Sequence, residues 1–204
     1  YLLLLGWAPE GEQEIFSLDE MIKIWDPSRI SKSPAIFDPL KLRAINAAYI
    51  RALPAEEFRR LADPFIDSAV HCDIDRDLLC ANLQPRCEVL EDIPPQLDFF
   101  DAVLPIDAEM YRNKKQKTTP ESAKEALTAL LPVLEAQTDW TRDAIFEACK
   151  TLAEQMEKKN GWLLFPLGIA LSGKARTPGG GTDLAAMMGK AETLKRVKDA
   201  LGKL

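Results

Sequence analysis

The chain carries one histidine, His71, and four cysteines, Cys72, Cys80, Cys87 and Cys149, in 204 residues. A closed zinc site draws on cysteines and histidines in close pairs. None of these cysteines stands in a CxxC pair, so His71, Cys72, Cys80 and Cys87 make a poor ligand set. The plain reading is four small thiols, mostly buried, in a reducing cytoplasm. One histidine also leaves no Ser/His/Asp or Cys/His arrangement, and no two carboxylates stand out as an acid–base dyad. The sequence therefore predicts no catalytic residue and no metal site.

Three features could bind rather than react. The first is the loop Ser172-Gly173-Lys174-Ala175-Arg176-Thr177-Pro178-Gly179-Gly180-Gly181. Glycines ahead of a helix N-terminus can turn backbone N–H groups toward a phosphate or a base edge. The run lacks the Gly-Lys-Ser/Thr of a P-loop, and the same residues also serve as an ordinary turn. The second is Arg86, beside the helix-breaking Pro85. A guanidinium at a helix junction can present a rigid donor fork to a base edge, or can simply pair with Glu88. The third is Ile30-Ser31-Lys32-Ser33, whose letters suggest an ATP-phosphate loop. The Pro34 and Asp38-Pro39 that follow set up a corner and a helix start instead, which makes Lys32 a surface or RNA-backbone contact.

Charge favours binding at one end. The total is −6, yet residues 158–204 hold nine basic against three acidic residues, a local +6 that leaves −12 on the rest. A basic end on an acidic body attracts phosphates locally while the remainder limits nonspecific association. Hydrophobic residues make up 47 % and charged residues 28 %, an ordinary globular composition, and no apolar run is long enough for a membrane span. Tyr1 to Leu5 is too short and lacks the basic lead of a signal peptide. It reads as the inside of a helix.

The elements that must position these groups all read as helices. Ser17 with Glu20 is a capping box that opens a short helix ending near Asp26-Pro27. Asp38 is an N-cap with Pro39 at the first helical position, and Leu42, Ile45, Ala48 and Tyr49 form the stripe that follows. Pro54 opens a helix through Leu61, and Asp73 or Asp75 caps another that breaks at Pro85, with Arg86 at the junction. Ile93-Pro94-Pro95 is a loop. Arg112 to Lys117, RNKKQK, reads as a linker. Thr119-Pro120 starts a helix through Glu135. Asp139 caps a long one from Trp140 to Lys159 with the stripe Ile145, Cys149, Leu152 and Met156, stopped by Asn160-Gly161. Trp162 to Leu171 is a buried helix, and Thr182-Asp183 caps the last. The fold class is all-α, two consecutive helical-bundle modules over residues 1–112 and 113–204.

Five collinear stretches together carry a resemblance. They are YLLLLGW from Tyr1, EIFSLDEMI from Glu14, RISKSPAIFDPLKLRAINAAYIR from Arg29, QPRCEVLEDIP from Gln84 and FPLGIALSGKARTPGG from Phe165. They resemble the C-terminal part of glutamyl-tRNA synthetases. The resemblance implies that residues 1–112 hold the end of the stem-contact region plus the first helical anticodon-binding module and residues 113–204 the second, inactive alone, with a catalytic domain before Tyr1 that uses ATP with Mg2+ and no cofactor within this stretch. It implies glutamate tRNA as partner, with no DNA and no membrane, in a cytoplasmic monomer. It implies that Arg86 reads the third anticodon base, C in glutamate tRNA and G in glutamine tRNA, so that glutamine tRNA is rejected. An unstacked cytosine offers the O2 and N3 acceptors such a fork needs. It also implies that Thr177, Pro178, Gly179 and Gly180 contact anticodon bases. Lys32, Lys174 and Arg176 are candidates for the tRNA backbone. Two positions depart from the family pattern: Gly168 where an Arg is usual, and Gly180 where some members have Leu. The contact to the first anticodon base is therefore not carried over, and Lys174 or Arg176 could replace it. The rival readings are a helical protein-interaction module and an intact enzyme in its own right.

Overall fold

The structure, a computed structural model, describes residues 1–32 and 35–204. Ser33 and Pro34, the end of the SKSP stretch, lie outside the described residues. The helices are α1 (Leu2–Gly6), α2 (Leu18–Ile24), α3 (Pro39–Ala52), α4 (Ala55–Asp67), α5 (Arg76–Leu83), α6 (Pro120–Ala136), α7 (Arg142–Gln155), α8 (Asn160–Ser172) and α9 (Gly181–Leu201). Short 3₁₀ turns at Gln84–Arg86, Leu90–Asp92 and Pro94–Gln96 link α5 to the second half of the chain. Among the described residues β structure is limited to two isolated bridges, Trp7 with Ile30 and Asn113 with Thr118. The all-α expectation holds.

Local chemistry sets most helix starts. Ser17 accepts from Glu20 N while the Glu20 carboxylate accepts from Ser17 N at 2.7 Å, closing the capping box. Asp38 accepts from both Leu40 N and Lys41 N ahead of Pro39. Asp75, rather than Asp73, caps α5 through Leu78 N. Thr119 caps α6, with the Ser122 hydroxyl returning the bond.

Elsewhere the structure departs from the expectation. α4 runs past Leu61 to Asp67, through Pro64, because Phe58, Ala62 and Ile66 keep one face of it in the core. In α3 the buried positions are Ile45, Ala47 and Ile50, whereas Leu42 and Tyr49 stay exposed. α7 starts after Thr141, whose side chain accepts from Ala144 N, so Asp139 is not its cap. It ends at Gln155, followed by Glu157 at φ 55°. Asn160-Gly161 is therefore not a stop; it begins α8. Asp183 works from the third position of α9, accepting from Gly180 N, and Gly180 occupies the cap. Cys80, Cys87 and Cys149 are buried, with thiols pushed up to about 11, 11 and 12 by burial, while Cys72 is exposed.

The core runs without interruption from Ile50 in α3 to Ala200 in α9 and draws on residues on both sides of Arg112. α6, α7, α8 and α9 pack on one another, and α5 meets α9 through Asp75 N donating to Met187 O at 3.0 Å. α8 and α9 approach so closely that a Cβ at Gly181 would lie 2.7 Å from Leu164 O and 3.0 Å from Gly168 N. Only glycine permits that crossing, and it brings the N-terminus of α9 onto the side of α8. Behind it sits Arg196, 2 % exposed. Its guanidinium donates to the carbonyls of Phe99, Phe100 and Leu171 and to the Glu192 carboxylate. One buried side chain thus ties α9 to the end of α8 and to the aromatic segment before it.

Candidate nucleic-acid interface

Arg86 stands on a junction pinned from both sides to α3. Gln84 donates to the carbonyls of Ile50 and Leu53 at 3.0 and 2.8 Å. Glu88 accepts from the Arg43 guanidinium at 2.8 Å, and Asn46 donates to the Glu88 carbonyl at 2.6 Å. Glu88 is therefore taken, and Arg86 has no acidic partner among the described residues. Its Nη1 instead crosses to the glycine-rich loop, donating to Pro178 O at 2.7 Å and Thr177 O at 3.4 Å. The Nε and Nη2 donors make no hydrogen bond within the described chain, and the residue is exposed. One edge of the fork is anchored and the other faces solvent.

The loop that receives Arg86 is itself built up. Gly173 ends α8 in the left-handed region at φ 70°, where a Cβ would lie 2.6 Å from Leu104 O. Ser172 Oγ donates to Gly168 O at 2.7 Å and accepts from Lys174 N at 3.0 Å. Thr177 Oγ1 donates to Gly179 O at 2.5 Å. Gly180 N is occupied by Asp183 Oδ2 at 2.7 Å, so the start of α9 carries its own carboxylate. That negative group opposes a phosphate there, and the idea of the glycines as a phosphate cradle fits this geometry poorly. Pro178 and Gly179 are buried, whereas Gly180 is exposed.

These residues line one open cleft of about 700 Å3. Arg86, Lys174, Arg176, Thr177, Gly179 and Gly180 all lie on its wall, and so does Gly168. Lys174 is already engaged: its Nζ donates to Pro95 O at 2.9 Å and to the Asp98 carboxylate. Arg176 is exposed and makes no ion pair among the described residues. Lys32 is exposed and does not belong to the cleft wall. The cleft also holds groups that sequence reasoning did not single out, namely Arg142, Phe146 and Phe165. Arg142 donates from Nε to Asp183 Oδ1 at 3.1 Å and lies 5.9 Å over the Phe146 ring. The signal for Phe165 was in the sequence: Gly161, Leu164, Phe165 and Gly168 share a helical face. All four are half-buried on a helix whose residues 162, 163, 166, 167 and 169 are buried.

The residues named as a conceivable metal set scatter. His71 Nδ1 meets the exposed Asp101 carboxylate at 2.6 Å, and that bond, with the His71 and Cys72 N–H groups, holds the carboxyl well below the usual range. Among the described residues no three His, Cys, Asp or Glu side chains gather as a metal site would require. No helix of the described chain is long and apolar enough to cross a membrane.

A clasp of arginine on loop carbonyls, beside a cationic cleft with aromatic faces, suits a single-stranded nucleic acid. The sequence pattern of the anticodon binding domain matches residues 42–201, and the chain belongs to that family. Among its relatives, the glutamate–tRNA ligase of Clostridium botulinum is 45 % identical over all 204 residues, and that of Clostridium acetobutylicum 42 % over 205. The chain spans 42 % of the length of each. A crystal structure of a glutamate tRNA ligase from Elizabethkingia meningosepticum, in complex with its amino acid, superposes on 98 % of the chain with a TM-score of 0.84 at 27 % identity. The match covers 39 % of that protein. The glutamate-tRNA synthetase of Elizabethkingia anophelis, at 24 % identity and a TM-score of 0.79 over 98 % of this chain and 39 % of its own, shares the fold.

Proposed function

We propose that this chain is the anticodon-inspecting part of a glutamate–tRNA ligase. The catalytic part of that enzyme uses ATP with Mg2+ to attach glutamate, and we assign no residue of this chain to ATP. Residues 1–112 and 113–204 act as two modules that share one core, with Arg86 reaching from the first to the loop of the second. The observation that carries the reading is Arg86 itself, held at Nη1 by Pro178 O and Thr177 O with Nε and Nη2 unspent. The anchored edge fixes the guanidinium plane before the RNA arrives, so little side-chain entropy remains to be lost on binding. The free edge supplies two parallel donors to O2 and N3 of a cytosine at the third anticodon base. A guanine presenting the same Watson–Crick edge offers one acceptor, O6, beside the N1–H and N2–H donors, so the two donors of the fork cannot both pair, which is the physical source of discrimination against glutamine tRNA. Thr177, Pro178, Gly179 and Gly180 shape the floor of the base pocket. Arg176, with Lys174 released from Asp98 and Lys32 farther off, offers phosphate contacts. Phosphates give affinity and salt dependence, and bases give choice.

The test is binding of the full chain to two glutamate tRNA transcripts that differ only in the third anticodon base, C or G, at two salt concentrations. The reading expects binding that weakens with salt and prefers C. Equal binding to both removes Arg86 as a reader. No binding at either salt favours the protein-interaction module.

A further inference from the structure

α9 is continuous in sequence but not straight. At Gly189 its backbone turns to φ 77° and ψ 167°, and a Cβ built there meets nothing within 4 Å. Backbone conformation, not space, reserves the position for glycine, because residues with a side chain take that region only under strain. The bend is sharp: Thr193 Oγ1 donates to Ala185 O at 3.2 Å, although eight residues of straight helix span about 12 Å. A non-helical residue breaks the helical bonds that span it, so the Met187 carbonyl loses its partner at Ala191 N. Asp75 N takes that carbonyl at 3.0 Å, and among the described residues this is the one hydrogen bond from the α5 segment to α9. Trp140 Nε1 adds a second hold, donating to Ala185 O at 2.9 Å. Lys190, next after the bend, donates to Glu135 O and Gln137 O at 2.7 Å each, where α6 ends.

The bend divides α9 into two parts with different duties. Residues 190–201 are fixed to the core, where Arg196 donates to Phe99 O, Phe100 O and Leu171 O. Residues 181–188 carry both sides of the Arg86 contact. The loop that supplies Pro178 O runs directly into Gly181, and α5, which continues into the Gln84–Arg86 turn, is tied to Met187 O. An open cleft of about 720 Å3 is lined by Asp75, Leu78 and Asn82 of the α5 segment and by Asp183 and Ala186 of α9, and the Asp75 bond crosses from one to the other. The angle at Gly189 therefore sets where the loop and α5 both stand relative to the core. We propose that Gly189 is a positioning residue for base reading: its glycine-only bend aligns α5 with the loop and so aims the free edge of Arg86. This rests on the anticodon reading and adds to it a specificity determinant outside the wall of the Arg86 cleft.

The experiment compares binding of the full chain to glutamate tRNA transcripts with C or G at the third anticodon base. Gly189→Ala cannot hold the bend without strain, and the backbone around it relaxes toward straight helix. The C-over-G preference should fall about tenfold through weaker binding of the C transcript, with binding of the G transcript and the salt dependence unchanged. General damage to the fold would instead weaken both transcripts alike. Two substitutions at Asp75 test the tether by itself. Asp75→Ala loses the side-chain bond to Leu78 N but keeps the backbone donor. Asp75→Pro loses both, and its ring suits the φ of −71° found there. Asp75→Pro should reproduce the loss of preference, and Asp75→Ala should keep the preference. A Gly189→Ala chain that retains the full preference, or that weakens both transcripts equally, overturns the inference. So does an Asp75→Ala chain that loses as much preference as Asp75→Pro. If Gly189→Ala does not fold, the Asp75 pair decides alone. An unaltered chain that binds both transcripts equally overturns the Arg86 reading, and this inference with it.

Discussion

Three arginines of the described chain donate to backbone carbonyls, Arg29 to Pro9 O among them, and the surroundings of the other two, Arg196 and Arg86, differ in what they leave unspent. Around Arg196, 2 % exposed, every guanidinium nitrogen has a partner: Phe99 O, Phe100 O, Leu171 O and Glu192. Burial would raise the Glu192 carboxyl, but its bond to and charge contact with Arg196 win, and it is held low. Around Arg86 a single nitrogen is used within the described chain, the residue is exposed, and no acid among the described residues answers its charge. A saturated arginine fixes architecture. A half-anchored one, already oriented, is equipped to receive a partner from outside.

The largest expected effect breaks the saturated side. Arg196→Met leaves three buried carbonyls and the half-buried Glu192 without their donor. It should lower stability by about 3–5 kcal/mol, read as a drop in the denaturant midpoint. A loss within experimental error would mean that water or a shifted neighbour satisfies these groups and that the contrast between the arginines is not energetic. Next, Gly181→Ala forces a methyl against Leu164 O at the α8–α9 crossing and should cost about 1–3 kcal/mol. Because α9 must shift to admit it, RNA binding should weaken as well. Gly180→Ala, where the nearest atom is Asp183 Oδ2 at 3.4 Å, should be tolerated within about 0.5 kcal/mol by thermal melting. The smallest effect sharpens the picture of the core. With thiols raised to about 11, 11 and 12, Cys80, Cys87 and Cys149 stay protonated and should resist alkylation at pH 8. Cys72, exposed though also raised, first by burial and then by Asp101, should be the single site modified in the folded chain, as counted by mass spectrometry.

What the sequence made readable was local. The caps at Ser17, Asp38 and Thr119 act within three residues, so their letters suffice. The junction at Pro85 followed from a missing N–H. The end of α7 was not readable, because a non-glycine residue, Glu157, takes the left-handed conformation that a reader looks for in Asn160-Gly161. Which face of α3 is covered was not readable either: periodicity finds a stripe, but only neighbours decide whether Leu42 and Tyr49 are buried. The site divides the same way. Arg86 and the Thr177–Gly180 loop could be named through a family resemblance. That they touch is a contact across 92 positions, set by α5 packing on α9 and by the anchoring of Gln84 and Glu88 to α3. Arg142 stayed hidden for the same reason, since its partner Asp183 lies 41 residues away.

The central claim is that the free edge of Arg86 reads a base. The direct measurement is the ratio of binding constants for glutamate tRNA with C or G at the third anticodon position, for the unaltered chain and for Arg86→Gln. The account predicts that the preference for C falls by about 1–3 kcal/mol, some 5- to 150-fold, while the salt dependence changes little. A variant that still prefers C by the same ratio would contradict it.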